Sequence, residues 1–190
     1  PCDEHNLAFK AAKLFFEETK LIGGVKINIE KNIPSQAGLG GGSADAAGTI
    51  FALDKLYNTD LSDEKLCEIG EKVGSDVPFC IIGGTKLCKG VGEKLTSLNP
   101  ISDCKIVIAK GTDGISTIEA YKTYDKLQGI KHPDIDALVN AINAGEKFSH
   151  RCGNVLELTA LVATVGEIKE TMIELGAENS VMTGSGSAVF

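Results

Sequence analysis

A glycine-rich run between two regular segments contains the residues best suited to chemistry. Residues 34–47 read Pro-Ser-Gln-Ala-Gly-Leu-Gly-Gly-Gly-Ser-Ala-Asp-Ala-Ala, with four glycines among the five residues 38–42. Because glycine has no Cβ, a ligand can approach its backbone N–H closely. A helix that begins after such a loop adds about half an elementary charge of positive sign at its N-terminus. The run therefore predicts a cradle for an anion such as phosphate.

The run matches neither of the two common nucleotide-binding fingerprints. A P-loop ends in Gly-Lys followed by Ser or Thr, and the chain contains no Gly-Lys dipeptide. The dinucleotide pattern G-x-G-x-x-G fails because Ser43 stands at the third glycine position when the pattern is read from Gly38. A purely structural turn is the alternative interpretation of the run.

Two further segments could complete a site for phosphate chemistry. Asp76 lies in residues 74–79, Gly-Ser-Asp-Val-Pro-Phe, a turn before an apolar run. A carboxylate there can orient a substrate hydroxyl and accept its proton, or it can simply cap the turn. Residues 183–187, Thr-Gly-Ser-Gly-Ser, could supply more N–H donors to an anion, or they could form a turn between strands.

Composition limits the classes of partner. The 190 residues are 43% hydrophobic and 24% charged, with a net charge of −7. An acidic chain of this kind argues against a general nucleic-acid binder. Its apolar runs are also too short for a membrane span. From composition we therefore expect no nucleic acid and no membrane as partners. A small-molecule substrate and a monomer or weak dimer are the further expectations for this chain.

The cysteines and histidines show no metal-site spacing. None of the cysteines forms a C-x-x-C pair, which argues against zinc. Several lie within apolar strings, such as Cys80 in Val-Pro-Phe-Cys-Ile-Ile, so we expect buried, reduced thiols in a cytosolic compartment. The six are Cys2, Cys67, Cys80, Cys88, Cys104 and Cys152. The three histidines lie far apart in polar surroundings, so we expect solvated surface positions for His5, His132 and His150.

Helices and strands mix without strict alternation, which favours an α+β fold. Helices are predicted over 6–18, 44–57, 62–73, 116–127, 133–144 and 166–175, with Ser43 near the cap of the second. Strands are predicted over 25–30, 104–109, 180–182 and 188–190, with a glycine-punctuated hairpin around 83–92. The stretch 99–103 is the predicted boundary between two halves.

In chain order, the three segments resemble the three motifs of the GHMP small-molecule kinases. The resemblance extends over nearly the whole chain and includes Gly-Gly-Thr at 83–85, Gly-Val-Gly-Glu-Lys-Leu at 90–95, Gly-Ile-Ser-Thr at 114–117 and Gly-Asn-Val-Leu-Glu at 153–157. Within the family it is strongest to the member that phosphorylates the free 2-hydroxyl of a cytidine-diphosphate-linked methylerythritol in non-mevalonate isoprenoid biosynthesis.

The resemblance implies two α+β domains with the active cleft between them, an ATP-binding domain over 1–100 and a second over 101–190. ATP with Mg²⁺ is the implied cofactor pair, and the ligands of the metal remain unknown. Asp76 would be the catalytic aspartate, while Tyr121 could face the cytidine base or pack in the core. The implied cofactor-binding residues are Pro34, Ala37, Gly38, Leu39, Gly40, Gly41, Gly42, Ser43 and Ala44. The implied phosphate-transfer residues are Gly184, Ser185 and Gly186.

The chain also departs from the family pattern. The family's catalytic-lysine strand and its cytidine-binding segment would precede Pro1, and its members continue past the Val-Phe of the third motif. We therefore expect a chain truncated at both ends, which could itself be inactive. Ala44 stands where a serine is common. The alternatives are a homoserine or mevalonate type of GHMP kinase and a non-catalytic nucleotide-binding fragment. The implied location is the bacterial cytoplasm or a plastid stroma.

Overall fold

Two units, each with its own core, make up the chain. The computed structural model describes residues 3–101, 104–160 and 162–190. The first unit contains Pro1–Asn32 and Gly40–Ser97, and the second contains Ile33–Leu39 and Leu98–Phe190. The division cuts the glycine-rich run between Leu39 and Gly40. The assignment of these units to the two domains of the kinase fold stays a prediction.

Two helices form the centre of the first unit. α1, Leu7–Thr19, begins at Asn6, whose Oδ1 accepts a hydrogen bond from Ala8 N at 2.9 Å. This confirms the helix predicted over 6–18. α2, Gly41–Tyr57, packs against α1, and its first half buries only small side chains, which allows a close approach.

The glycine-rich run enters α2 earlier than its sequence predicts. The helix begins at Gly41 instead of Ala44, and Gly40, with φ of 65°, is its N-cap. Ser43 therefore lies inside the first turn and is not the cap. Gly40 can occupy the N-cap position because glycine adopts the positive φ of this position at little cost.

Two shorter helices cover the same core. α3, Asp63–Val73, confirms the helix predicted over 62–73, and Ser62 caps it, with its Oγ accepting from Lys65 N at 3.4 Å. α4, Val77–Ile82, packs against α2 and α3. The sequence indicated only a turn and an apolar stretch here. The structure forms a helix because Pro78 suits a first helical turn and the apolar residues reach the core.

The predicted hairpin completes the first unit. β1, Lys86–Lys89, pairs antiparallel with β2, Lys94–Ser97, and Lys89 lies opposite Lys94. Gly90 and Gly92 adopt φ values of 73° and 119° in the connection, which is why glycine occurs at both positions.

The prediction of strands over 25–30 and 104–109 is wrong. No described residue pairs with 25–30 or 104–108 in a ladder, and only Ala109 forms a bridge, to Val189. Alternation of apolar and polar residues indicates a half-buried face, but a strand also needs a neighbour for its backbone groups. Of the predicted boundary 99–103, residues 102 and 103 lie outside the described residues.

Within the described residues, the second unit contains three α-helices and two 3₁₀ helices. They are α5, Thr117–Tyr124; α6, Ile135–Ala144; α7, Ala163–Glu174; and the 3₁₀ helices Ser149–Arg151 and Val155–Thr159. The three α-helices confirm the predicted ones, although α5 ends before 127 and α7 begins before 166. The core residues are Ile115, Ala120, Leu156, Val165, Met182 and Val189.

The predicted strands 180–182 and 188–190 pair around the last glycine loop. Val181 and Phe190 exchange two backbone hydrogen bonds, each 2.9 Å long. Met182 and Val189 form an antiparallel bridge, and Val189 bridges Ala109 on its other side. The two predicted strands are therefore present only as isolated bridges and not as regular strands.

Packing between α1 and α2 gives the first prediction. Phe15 is fully buried in the core of the first unit, whereas Phe9, on the same helix, is 48% exposed. Phe15→Ala should lower the free energy of unfolding by about 3–5 kcal/mol, because it leaves a cavity. Phe9→Ala should cost less than about 1 kcal/mol. Urea denaturation of both variants tests this, and equal costs would contradict the assigned core.

Candidate active site

The start of α2 offers backbone donors without a competing cap. No side chain caps this helix among the described residues, and the first intrahelical bond runs from Ala44 N to Gly40 O at 2.9 Å. The N–H groups of the first turn, at Gly41, Gly42 and Ser43, precede that bond and have no carbonyl partner in the helix. A Cβ built on exposed Gly40 meets nothing within 4 Å, so the approach to this terminus is open.

The other half of the glycine run binds the last glycine loop of the chain. Thr183 Oγ1 donates to Gly38 O at 3.0 Å, and Ala188 N donates to Ala37 O at 3.1 Å. Ile115 N and Ser187 N both donate to the carbonyl of residue 36, at 3.4 and 3.3 Å. Within the second unit the structure thus joins two glycine motifs that are far apart in the sequence.

This junction requires glycine at its closest point. A Cβ on Gly38 would lie 2.0 Å from the carbonyl oxygen of Thr183, and one on Gly184 would lie 3.1 Å from the carbonyl oxygen of Gly38. Both residues also have positive φ, 71° and 54°. The backbone-to-backbone contact therefore explains why residues 38 and 184 are glycines.

Side chains from other elements support the last glycine loop, residues 183–187. Ser185 Oγ and Thr117 Oγ1 are 2.8 Å apart, and Ser187 Oγ donates to the carbonyl of Asp113. The side-chain amide of Asn154 donates to Gly184 O at 2.7 Å. Sequence reasoning did not select Thr117 or Asn154 as site residues. Their signal was present, because both lie in the shorter segments that resemble the kinase family.

Asp76 is an exposed carboxylate at the start of α4. It occupies the N-cap position but makes no side-chain cap bond within the described chain, so the turn-capping alternative does not describe it. Ser75 Oγ lies 3.5 Å from its Oδ1, and the hairpin connection approaches closely, because a Cβ on Gly92 would lie 3.6 Å from that oxygen. The carboxylate is therefore available to a ligand.

Two thiols lie within the electrostatic influence of Asp76. Burial, and after it the charge of Asp76, raises the pKa of both Cys80 and Cys88. The thiols are therefore protonated near neutral pH, which makes them weak nucleophiles beside the carboxylate. The described cysteines are free, as predicted, but the prediction that they are buried is wrong. Cys67, Cys80 and Cys152 are half-buried, Cys88 and Cys104 are exposed, and Cys2 lies outside the described residues.

Tyr121 is 53% exposed, so the alternative that it packs in the core is wrong. It follows Thr117 by one helical turn and shares that face of α5, where Thr117 contacts the last glycine loop. The remaining predicted cofactor residues differ in burial: Ala37 is buried, Leu39 is half-buried, and Pro34 and Ala44 are exposed. The three histidines are exposed, as expected.

The predicted residues fall into two groups, one in each unit. In the second unit the structure brings together Ala37, Gly38, Gly184, Ser185 and Gly186, with Thr117 beside them. In the first unit lie Gly40, Gly41, Gly42, Ser43, Ala44 and Asp76. Leu39 and Gly40 join the groups covalently.

Two kinds of feature are absent from the part of the chain that the structure describes. Nowhere in residues 3–101, 104–160 and 162–190 do three His, Cys, Asp or Glu side chains gather closely enough to hold a metal ion. None of the helices in those residues combines the length and apolar character that crossing a membrane requires.

Comparison with known proteins identifies the family. Residues 6–84 match the family described as GHMP kinases N terminal domain. A 4-diphosphocytidyl-2-C-methyl-D-erythritol kinase from Clostridium novyi is 48% identical over 194 aligned residues, which cover 100% of this chain and 69% of that protein. This chain belongs to the GHMP kinase family. The family that the three motifs predicted is thereby confirmed, and the match extends over the whole chain.

Solved structures agree with this membership. A crystal structure of 4-(cytidine 5'-diphospho)-2C-methyl-D-erythritol kinase is similar with a TM-score of 0.78 and 32% identity, covering 100% of this chain and 69% of that one. A homoserine kinase from Cytophaga hutchinsonii is similar with a TM-score of 0.77 at 17% identity, covering 100% and 67%. The second likeness shows the fold alone. The predicted α+β kinase fold is confirmed.

The junction of the two glycine motifs gives the second prediction. Gly38→Ala should cost about 1–3 kcal/mol more free energy of unfolding than Gly40→Ala. Both substitutions place alanine at positive φ, but only the Cβ at residue 38 meets a backbone carbonyl. Denaturant titration of the two variants measures the difference. Equal destabilisation would contradict the close approach of residue 38 to Thr183.

Proposed function

We propose that this chain transfers the γ-phosphoryl group of ATP to the 2-hydroxyl of 4-diphosphocytidyl-2-C-methyl-D-erythritol. The observation that carries the proposal is the hydrogen-bonded junction between Gly38 and Thr183, which joins two glycine motifs of the kinase family. Relatives at 48% and 32% identity whose names state this kinase support the choice of substrate. The Clostridium relatives favour the bacterial cytoplasm as the compartment.

The start of α2 is the proposed site for the ATP phosphates. The uncapped N–H groups of Gly41, Gly42 and Ser43 can donate to phosphate oxygens, and the positive end of the helix dipole attracts their charge. Open space around Gly40 leaves room for the phosphates. In the second unit, the proposed role of Gly184 and Ser185 is to donate to the group that is being transferred. Gly186 N donates to Thr183 O at 2.9 Å, so the proposed role of Gly186 is to close the turn that carries those donors.

Asp76 is the proposed catalytic residue. Its carboxylate is exposed and makes no cap bond to α4, so it can accept a hydrogen bond from a substrate hydroxyl. It would orient the 2-hydroxyl toward the γ-phosphate and take its proton as the oxygen–phosphorus bond forms. The bond to the leaving oxygen of ADP breaks in the same transfer.

Mg²⁺ is proposed to enter with ATP. The described residues contain no cluster of three metal-binding side chains, which fits an ion that takes most of its ligands from phosphate oxygens and water. When bound, the ion would neutralise phosphate charge. We assign it no ligand in this chain.

Tyr121 is proposed to contact the cytidine base. Its ring is exposed on the face of α5 that also carries Thr117, the partner of Ser185. An exposed aromatic ring can stack on a base. Its helix thus connects the proposed base contact with the proposed phosphate-transfer loop.

The third prediction tests the reaction and its catalytic residue. Asp76→Asn should lower kcat about 10²–10⁴-fold, because the amide cannot accept the proton. ATP affinity should stay nearly unchanged. Phosphoryl transfer from ATP to 4-diphosphocytidyl-2-C-methyl-D-erythritol is measured in a coupled assay for ADP, with homoserine and mevalonate as comparison substrates.

Asp63→Asn is the matched control. Asp63 is also an exposed aspartate at the start of a helix in the first unit, and the change should leave kcat within about twofold. Unchanged turnover in Asp76→Asn would contradict the catalytic role. Preferred transfer to homoserine or mevalonate would contradict the substrate.

The fourth prediction tests the phosphate site at α2. Gly41→Val should weaken ATP binding at least about tenfold, since its side chain occupies the approach to the helix N-terminus. Gly48→Val is the control, because residue 48 lies in the same helix, is exposed, and a Cβ there meets nothing within 4 Å. Calorimetric titration with ATP measures both. Equal affinities would mean that phosphate does not bind at this terminus.

A further inference from the structure

Asn154 forms hydrogen bonds both to the last glycine loop and to the residue that precedes it. Its Nδ2 donates to Met182 O at 2.8 Å and to Gly184 O at 2.7 Å, so both amide hydrogens are used. Its Oδ1 accepts from Leu156 N at 3.0 Å and caps the 3₁₀ helix Val155–Thr159. The side chain therefore fixes one carbonyl of the loop and the carbonyl of the residue before the loop to a separate element.

The same 3₁₀ helix holds the loop at a second point. Glu157 Oε1 accepts from Met182 N at 2.8 Å, and its other carboxylate oxygen pairs with Lys169 of α7. Both the N–H and the C=O of Met182 are thus bonded to side chains at or beside this 3₁₀ helix. The backbone that leads into Gly184 is thereby fixed in orientation.

We propose that Asn154 is a positioning residue for phosphoryl transfer. The C=O and N–H of one trans peptide unit point in opposite directions, so the bond from Asn154 to Gly184 O turns the N–H of Ser185 away from Asn154 and toward the ligand. The N–H groups of Thr183 and Gly186 are bonded within the loop region, to Ala188 O and Thr183 O. This inference rests on the proposed function, because it gives the N–H of Ser185 a phosphoryl group to stabilise. A preorganised donor costs no reorganisation when charge develops, so the role belongs to the transfer step instead of to ATP binding.

The chain contains a matched control for Asn154. Asn179 Nδ2 also donates to two backbone carbonyls, of Ser149 at 2.6 Å and Cys152 at 3.1 Å, and its Oδ1 accepts from Ser180 N at 2.8 Å. Its bonds have the same number and type and lie in the same unit, but none of them reaches residues 182–187. A loss caused by general destabilisation should therefore affect both residues alike.

The fifth prediction compares Asn154→Ser with Asn179→Ser. Serine is uncharged and keeps an oxygen that can accept the capping bond, but it loses the two donated bonds. Asn154→Ser should lower kcat about 10²-fold while KM for ATP stays within about threefold. Asn179→Ser should keep kcat within about threefold at a similar loss of Tm. Kinetics and thermal unfolding are measured on the protein that contains this chain.

Each outcome decides between the two proposals. A selective loss of kcat in Asn154→Ser supports the positioning role. Equal kinetics in the two variants of an active protein would overturn that role and leave the kinase function standing. No transfer by the wild-type protein would overturn the kinase function, and the positioning role with it. If Asn154→Ser does not fold by circular dichroism, Asn154→Asp, which keeps the volume and the cap, should show the same selective loss.

Discussion

The backbone contact between residues 38 and 183 is the constraint on which the second unit's loops depend. A carbonyl lies where any Cβ at residue 38 would have to be, so no side chain fits there without moving the chain. Neighbouring backbone bonds, such as Ala188 N to Ala37 O, then fix both segments together. Hydrogen-bonded backbone in close contact is rigid, and rigid donors are what phosphate transfer requires.

Side chains outside the glycine motifs also hold the last glycine loop in place. Thr117 contacts Ser185, and Asn154 and Glu157 hold the residues that lead into Gly184. Each of these bonds uses a polar group that would otherwise need another partner. The loop therefore owes its shape to α5 and to a 3₁₀ helix as much as to its own glycines.

In the first unit, the candidate site residues lie at the starts of two helices and not in two loops that contact each other. α2 begins at a glycine with positive φ and leaves its first donors uncapped, while α4 begins at Asp76 and leaves that carboxylate without a cap bond. Most helices satisfy such groups internally with a capping side chain. The two uncapped starts belong to helices that pack against each other in one core, which holds both ends in fixed positions.

The sequence by itself determined six of the helices, the hairpin and the motifs, because these follow from local periodicity, caps and glycine spacing. It did not determine α4 or the two 3₁₀ helices. Asn6, Ser62 and Ser116 mark helix starts that the structure has. Only the tertiary structure decided whether 25–30 and 104–108 form strands, because pairing needs a partner that no local pattern supplies. It also decided that residues 36–38 pair with the last glycine loop and that Asn154 supports that loop, since contacts between distant segments depend on how the whole unit packs.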